Sequence, residues 1–186
     1  MAFYYIPQNA WGLVAQAYYE AAGFYSGQGG GCRPVVLWCA LAQRGGYTHF
    51  DGNEQAVNEP LVDWLANGDD ANVISIYTND AEYAENIRAQ ILATGFYGEN
   101  EDGVVIVEGS NPEGYWGCTF TEDGPNWLNA NEIDGVPTPT EWSEYWDGAP
   151  EWVNNGSFNN AITDQLKGFI ANYNGKFYFD FTPFDD

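Results

Sequence analysis

The segment from residue 72 to residue 108 most constrains what this chain can fold into. Its first part, NVISIYT, is rich in β-branched residues and predicts a strand at 72–77. Its last part, GVVIVEG, predicts a second strand at 103–108. A helical pattern with short links lies between the two strands. Strand, helix and strand in this order predict a βαβ unit, for which we expect a right-handed crossover.

The predicted helix of this unit runs from Asp80 to Thr94. Four apolar residues fall on one side of it at helical spacing: Ala84, Ile87, Ile91 and Leu92. Asn79 stands three residues before Glu82, a spacing like that of a capping box with Asn in place of Ser or Thr. Gly95 is placed to end the helix.

Weaker patterns predict the remaining elements. Asn9 is a candidate N-cap for a helix reaching about Gly23, and EPLVDWLANG predicts a short helix that ends at Asn67-Gly68. The apolar run at 34–42 fits a buried strand or a helix equally well. Near the end, the sequence predicts a helix at 157–172, in which Ser157 is the N-cap and Phe158, Ile162, Leu166, Phe169 and Ile170 form an apolar stripe. A strand at 176–182 follows, with Phe177, Phe179 and Phe181 on one face.

These elements predict one α+β domain spanning residues 1–186, and a mixed α/β arrangement stays open. We expect a small sheet that includes 72–77, 103–108 and 176–182, covered by the helices near 80–94 and 157–172. At 45% hydrophobic residues, the chain has enough apolar surface for a sizeable core.

Residues 109–156 differ from the rest and are interpreted as a long loop region within that domain. The segment is rich in Gly, Pro, Asn and acids and has no basic residue. Tryptophans are enriched where proteins meet their partners, but they also pin long loops to their own core. Both interpretations stay open, with carbohydrate binding as a third. The candidate partner-binding residues are Trp116, Trp127, Trp142, Trp146 and Trp152.

The net charge of −22 comes from missing bases more than from abundant acids. Asp and Glu number 27 of 186 residues, whereas Lys and Arg number only 5. The five bases are Arg33, Arg44, Arg88, Lys167 and Lys176. Such a chain cannot neutralise a phosphate backbone, so we expect no direct nucleic-acid binding and no attraction to anionic membranes.

The glycine run in YSGQGGGCRPVV, residues 25–36, invites comparison with phosphate-binding loops. A P-loop needs a lysine and a hydroxyl residue after its glycines, whereas here Cys32-Arg33-Pro34 follow. A dinucleotide-binding loop follows a strand and opens a helix, but this run follows the helix predicted at 9–23. We therefore interpret the run as a connector, with a backbone contact surface as the alternative.

Catalytic patterns are weak. Cys32, Cys39 or Cys118 can in principle pair with the single histidine, His49, oriented by Asp51, but a thiolate needs electropositive surroundings that this chain lacks. Glu141, Glu144 and Glu151 are candidates for the paired carboxylates of a glycosidase and lie near tryptophans able to stack on sugar rings, yet 27 acids produce such neighbours by chance. We predict no enzymatic activity, and a hydrolase using Cys/His or paired carboxylates stays as an alternative.

Metal patterns are equally weak. One histidine and scattered cysteines do not make a zinc site at standard spacing. The acidic stretches at 51–59 and 99–103 do not follow the calcium-loop pattern. We expect neither a metal nor another cofactor.

The function expected from these features is non-enzymatic. We predict an acidic interaction or structural protein that binds a protein partner or self-assembles, and its compositional style suggests a component of a phage particle or a viral accessory protein. An inhibitor that imitates DNA or RNA and occupies a host nucleic-acid-binding protein, as anti-restriction and anti-CRISPR proteins do, is the alternative. An odd number of cysteines, no signal-peptide pattern and no apolar run of about 18 residues predict synthesis in the cytoplasm, with incorporation into a virion left open.

Overall fold

A computed structural model describes residues 2–6, 10–20, 22–26, 31–50, 52, 55–111, 113–129, 132, 169–173 and 176–180. For 2–5, 10, 18, 22, 169–173 and 176–180, only the backbone is described. The strands are β1 (Ala2–Tyr5), β2 (Ala10–Ala15), β3 (Ala22–Tyr25), β4 (Arg33–Cys39), β5 (Arg44–Phe50), β6 (Ile74–Tyr77), β7 (Val104–Val107), β8 (Tyr115–Thr121), β9 (Gly124–Asn129), β10 (Phe169–Tyr173) and β11 (Lys176–Asp180). The α-helices are α1 (Glu59–Leu65) and α2 (Ala81–Ala93), and short 3-10 helices lie at Gln16–Tyr18 and Glu101–Gly103.

The strands form two sheets. One has seven strands in the order β11-β10-β2-β5-β4-β6-β7, and the other has four in the order β1-β3-β8-β9. Parallel pairing of β6 with β7, joined by α2, confirms the predicted βαβ unit. The α+β class agrees with this mixed sheet and its helices. The predicted strand at 176–182 also joins this sheet, as β11, but the sheet is larger than expected and a second sheet accompanies it.

Helices α1 and α2 pack on one face of the seven-stranded sheet. Leu61 and Leu65 of α1 join Ile87 and Ile91 of α2 in one buried cluster. Residues from five strands complete this cluster: Trp11, Leu13, Val35, Leu37, Cys39, Phe50, Ile74, Ile76 and Val104. The main core therefore lies between the sheet and the helices.

The four-stranded sheet packs on the opposite face through aromatic rings. Trp38 of β4 stacks on Phe120 of β8 at 5.9 Å between ring centroids, and Tyr47 of β5 stacks on Phe24 of β3 at 6.4 Å. Two glycines make this approach possible, because a Cβ atom at Gly12 would overlap the Phe24 ring and one at Gly45 would overlap the Phe120 ring. The molecule is thus layered as helices, large sheet and small sheet.

Both predicted helices of the middle region are present. Asn58 caps α1 by accepting a hydrogen bond from the Leu61 amide at 3.0 Å, and Asn67 has the positive φ expected where the chain turns away. The cap of α2 is Asp80, not Asn79, because the Asp80 carboxylate accepts from the amides of Glu82 and Tyr83. Gly95, with φ of 81°, ends the helix as predicted.

The helix predicted at 9–23 is wrong, since β2, a 3-10 turn and β3 occupy this stretch. Trp11 and Leu13 face the helices while Gly12 faces Phe24 of the small sheet, so β2 is buried on both faces. A strand buried on both faces loses the alternation of apolar and polar residues. The helical spacing of Val14, Ala17 and Tyr18 therefore spans the end of β2 and the 3-10 helix that follows it.

Three other expectations change. Phe169 and Ile170 lie in β10, which pairs with β2 and β11, so this end of the helix predicted at 157–172 is wrong; residues 157–168 lie outside the described residues. The ambiguous run at 34–42 is strand β4 followed by a turn. Within the expected loop region at 109–156, residues 115–129 form the β8–β9 hairpin, and 133–156 lie outside the described residues.

Substitution of Gly45 by Ala tests the packing of the two sheets. The added methyl group would meet the Phe120 ring, so we expect the free energy of unfolding to fall by about 1–3 kcal/mol. Gly31→Ala is the matched control, since its nearest heavy atom would be 4.0 Å away, and we expect a change within about 0.5 kcal/mol. Urea unfolding followed by circular dichroism measures both. Equal stability of the two variants would contradict the proposed close approach.

Candidate partner-binding surface

The structure describes two of the five candidate tryptophans, and both lie on the β8–β9 hairpin. The half-buried ring of Trp116 meets His49 of β5 edge-on, at 6.3 Å between ring centroids. Its carbonyl oxygen accepts hydrogen bonds from the Tyr47 hydroxyl and from the Ser26 amide, each at 2.9 Å. Trp116 therefore contributes to the contact between the two sheets.

Trp127 lies opposite Cys118 on β9, the edge strand of the small sheet. Its ring is half-buried, and its indole Nε1 is buried without a hydrogen-bond partner in the described part of the chain. Trp142, Trp146 and Trp152 lie outside the described residues. A shared partner-binding surface of all five tryptophans stays a prediction.

Each arginine that the structure describes bonds to the chain's own backbone. Arg33 donates from Nη1 to the Cys32 carbonyl at 2.9 Å. Arg44 donates to the Trp64 carbonyl at 2.6 Å, and its guanidinium lies 4.9 Å from the centre of the Trp64 ring. Burial lowers the pKa of Arg44, although Cys39 and Asp63 oppose that shift.

Arg88 of α2 bonds at the edge of the large sheet. It donates from Nε to the Val104 carbonyl at 3.3 Å and from Nη2 to the Glu101 carbonyl at 3.2 Å, and it forms an ion pair with the Glu101 carboxylate at 3.5 Å. The three described arginines thus serve the fold, which leaves none of them as an isolated positive group on the surface.

The helical layer, by contrast, displays many carboxylates. Residues 55–111 contain eleven acids and one base, Arg88, which gives a net charge of −10 for this segment (1 − 11). Apart from the capping Asp80, all these acids are exposed, and they belong to the helices, to the loops joining the helices to β6 and β7, and to the end of β7: Glu59, Asp63, Asp69, Asp70, Glu82, Glu85, Glu99, Glu101, Asp102 and Glu108. We call these ten residues the acidic layer. Counting bases by segment, rather than over the whole chain, would have found it in the sequence.

The glycine run connects β3 of the small sheet to β4 of the large sheet. Residues 27–30 lie outside the described residues, but the run follows a strand and not the helix predicted before it. It also leads into a strand, whereas phosphate-binding loops lead into a helix. The hydroxyl of Tyr83 donates to the Gly31 carbonyl at 2.6 Å, so the end of the connector is tied to α2.

The cysteines occupy three different environments. Cys39 lies in the main core and Cys118 on β8, both fully buried, and burial raises the pKa of both thiols. Cys32 is half-buried and precedes β4, two residues before Pro34, which is paired with His49. Of the three, Cys32 is therefore nearest to His49 in the strand register; Asp51 lies outside the described residues.

Metal-binding clusters and membrane-spanning helices are absent from the described part of the chain. It holds no group of three or more His, Cys, Asp or Glu residues arranged to bind a metal ion. It also holds no helix long and apolar enough to cross a membrane. Glu141, Glu144 and Glu151 lie outside the described residues.

Alkylation by iodoacetamide at pH 8 tests the cysteine environments. A raised pKa means that a smaller fraction of the thiol is ionised at a given pH, and burial also blocks the reagent. We expect Cys32 to react at least roughly tenfold faster than Cys39 and Cys118, as measured by tandem mass spectrometry of chymotryptic peptides, since cleavage after Trp38 separates Cys32 from Cys39. All three should react alike in urea. Fast modification of Cys118 in the native protein would contradict its burial.

Comparison with protein-family models and with curated proteins finds no match for this chain. The function proposed below therefore rests on the chemistry of the chain's own surface.

Proposed function

We propose that this chain is a non-enzymatic acidic protein that acts by binding a protein partner. The observation that carries the proposal is the acidic layer of ten exposed carboxylates. The two described arginines beside it are already bonded, Arg88 to Val104 and Glu101, and Arg44 to the Trp64 carbonyl. A surface of one sign attracts a surface of the opposite sign over distances of about a Debye length, roughly 8 Å at physiological salt. The partner best suited to this surface is a basic protein.

Charge of this kind contributes mainly to association rate and selectivity. It also repels phosphate backbones, in keeping with the expectation that the chain does not bind nucleic acid directly. More specifically, we propose a component of a phage particle or a viral accessory protein. This part of the proposal rests on composition alone.

An inhibitor that imitates nucleic acid is the alternative form of the same proposal. In that case the basic partner is itself a DNA- or RNA-binding protein, and the acidic layer occupies its phosphate-binding surface. Duplex DNA would then compete with this chain for the partner. DNA would not compete if the partner is a structural protein that does not bind DNA. Competition by DNA separates the two forms.

Neutralising part of the acidic layer tests the proposal. The variant D63N/E82Q/E85Q removes three exposed charges from α1 and α2, and the control E113Q/D123N/E132Q removes three exposed charges outside the layer. Immobilised wild type and both variants are compared for the host proteins they retain at low and high salt. We expect the first variant to lose roughly tenfold in affinity for a partner that wild type and control retain, and we expect 0.5 M salt to weaken binding. Equal loss in both variants would show that only net charge matters.

Self-assembly is a second candidate, favoured by strand β7. This strand forms one edge of the large sheet and reads Val-Val-Ile-Val, with no Pro or charged residue of the kind that protects edge strands. Val105 is 43% exposed. Pairing of β7 with β7 of a second copy would continue the sheet, opposed by repulsion between two chains of charge −22.

This candidate predicts an unusual salt dependence. Screening reduces the repulsion between copies, so we expect the average mass from light scattering to rise as salt is increased. Val105→Lys should keep the chain monomeric at every salt concentration. Val73→Lys is the control, since Val73 is similarly exposed at 39% but lies outside the edge strand. A wild type that is monomeric in both dilute and concentrated salt would exclude assembly through β7.

A further inference from the structure

Three connections of the chain meet at one end of the two sheets. The first is the 3-10 helix and turn after β2, residues 16–20; the second is the β4–β5 turn, residues 40–43; and the third is the β8–β9 turn at 121–124. They are far apart in sequence. Pairing of β2 with β5 brings the first two together, and the stacking of the two sheets brings the third to them.

Hydrogen bonds of backbone and side-chain groups hold the three connections together. The backbone amide of Gln16 donates to the backbone carbonyl of Gln43 at 3.0 Å. The Gln43 side chain donates to the carbonyls of Ala40 and Glu122, at 2.7 and 3.2 Å. Gln16 Nε2 donates to the Glu122 carboxylate at 2.8 Å, which holds that carboxylate in place.

A cleft of about 350 Å³ lies between the first and third connections. This volume is within the range of small-ligand sites, roughly 300–1,000 Å³. Its lining combines an aromatic floor with polar walls: Gln16, Tyr19, Glu20, Phe120, Thr121 and Glu122. Among the described residues, the lining holds two carboxylates and no basic group.

Tyr19 supplies an independent observation. Its side chain is only 5% exposed, and its hydroxyl has no hydrogen-bond partner in the described part of the chain. Its ring is fixed by stacking on Phe120 at 6.2 Å and by a tilted contact with Trp38 at 5.8 Å between centroids. Burial, and then the nearby Cys39 and Glu122, raise the pKa of Tyr19, so the hydroxyl stays neutral. Tyr19 also lines the cleft, so its unsatisfied hydroxyl is a candidate partner for a polar group bound there.

We propose that this cleft binds an organic cation, an alkylammonium or a guanidinium, between the carboxylates of Glu20 and Glu122 and the hydroxyl of Tyr19. These groups offer oxygen acceptors to N–H donors, while the aromatic floor suits the methylene groups of such a ligand. A bare divalent ion fits less well, because calcium takes six to eight oxygen ligands and gains nothing from an aromatic floor.

Such a cation has two sources, the side chain of a basic partner protein or a free polyamine. Binding of a partner's lysine or arginine side chain rests on the proposed function, and the cleft would then be the place where that side chain is anchored. Binding of a free polyamine does not depend on the proposed function. The chemistry recognised is the same in both cases.

The first experiment is a titration with small probes. N-acetyl-lysinamide and spermidine carry the cation, and N-acetyl-norleucinamide has the same alkyl chain without charge. We expect the two cationic probes to shift the amide resonances of Gln16, Glu20 and Glu122 in nitrogen-15 NMR spectra, with saturation in the millimolar range or below, and the norleucine probe to leave them unchanged. Equal binding of the uncharged probe, or no shift with either cation, would overturn the proposal.

Variants locate the site. Glu122→Gln removes the charge but keeps an acceptor for Gln16, and Tyr19→Phe keeps the aromatic stack but removes the hydroxyl. We expect the dissociation constant of N-acetyl-lysinamide to rise about tenfold for the first and about threefold for the second. Glu113→Gln, an exposed acid outside the cleft, is the matched control and should change it less than twofold. Equal weakening by Glu113→Gln and Glu122→Gln would show that only diffuse charge attracts the probe.

The two sources, and the proposed function itself, are separated by the same variants. If partner capture falls with Glu122→Gln, the cation belongs to the partner. If spermidine binds at least tenfold more tightly than N-acetyl-lysinamide and capture is unchanged, the cleft serves a free polyamine. Loss of capture in D63N/E82Q/E85Q together with absence of probe binding would uphold the proposed function and overturn this inference alone.

Discussion

The stacking of the small sheet on the large one is the interaction on which the rest of the structure depends. The two sheets can approach only because glycine stands at two positions where a side chain would overlap a phenylalanine ring of the small sheet. Gly12 lies opposite Phe24, and Gly45 lies opposite Phe120. With these positions open, Trp38, Tyr47, Phe24 and Phe120 pack as stacked or edge-on rings. The large sheet is then buried on both faces, which explains why β2 and β4 carry almost no polar residue apart from Arg33 at the start of β4.

This layering also determines what faces solvent. The helices cover the second face of the large sheet with Leu61, Leu65, Ile87 and Ile91, so their opposite sides are left to water. Four acids of the acidic layer lie there, and the other six lie in the adjoining loops and after β7. The same stacking brings the turn at Glu122 to those at Gln16 and Gln43, which β2–β5 pairing already holds side by side, and forms the cleft. A single packing choice thus places both the charged surface and the proposed cation site.

The elements that sequence reasoning predicted well are those stabilised locally. Helix α2 shows its apolar stripe, its capping region and its terminal glycine within about 16 residues, and β6 and β7 flank it with short links. Strands β2 and β10 were predicted as helices because the residues that determine their structure lie in other strands: β2 is packed between Phe24 and the main core, and β10 pairs with β2. The tryptophan-rich segment was expected to be loop, yet Tyr115–Asn129 pairs as a hairpin, where Trp116 contacts His49, 67 residues earlier in the chain.

The site features divide in the same way. The charge imbalance was visible in the composition, and counting bases segment by segment would have placed it on residues 55–111, where both helices were predicted. The cleft had no sequence signal, since Gln16, Gln43 and Glu122 are ordinary polar residues in turns and meet only through tertiary packing.

The scarcity of bases acquires a physical explanation from where the described arginines lie. Arg44 bonds to the last turn of α1 and covers the Trp64 ring, and Arg88 bonds to backbone carbonyls beside the edge strand β7. In both cases the guanidinium donates hydrogen bonds to backbone carbonyl oxygens. Its planar set of five N–H donors is better suited to this than the ammonium group of a lysine. A base placed freely among the exposed acids would instead form a surface ion pair, worth about 0–1 kcal/mol to stability. Such a pair would add little to the fold while cancelling charge on the surface, so the proposed attraction to a basic partner is stronger when those positions carry no base.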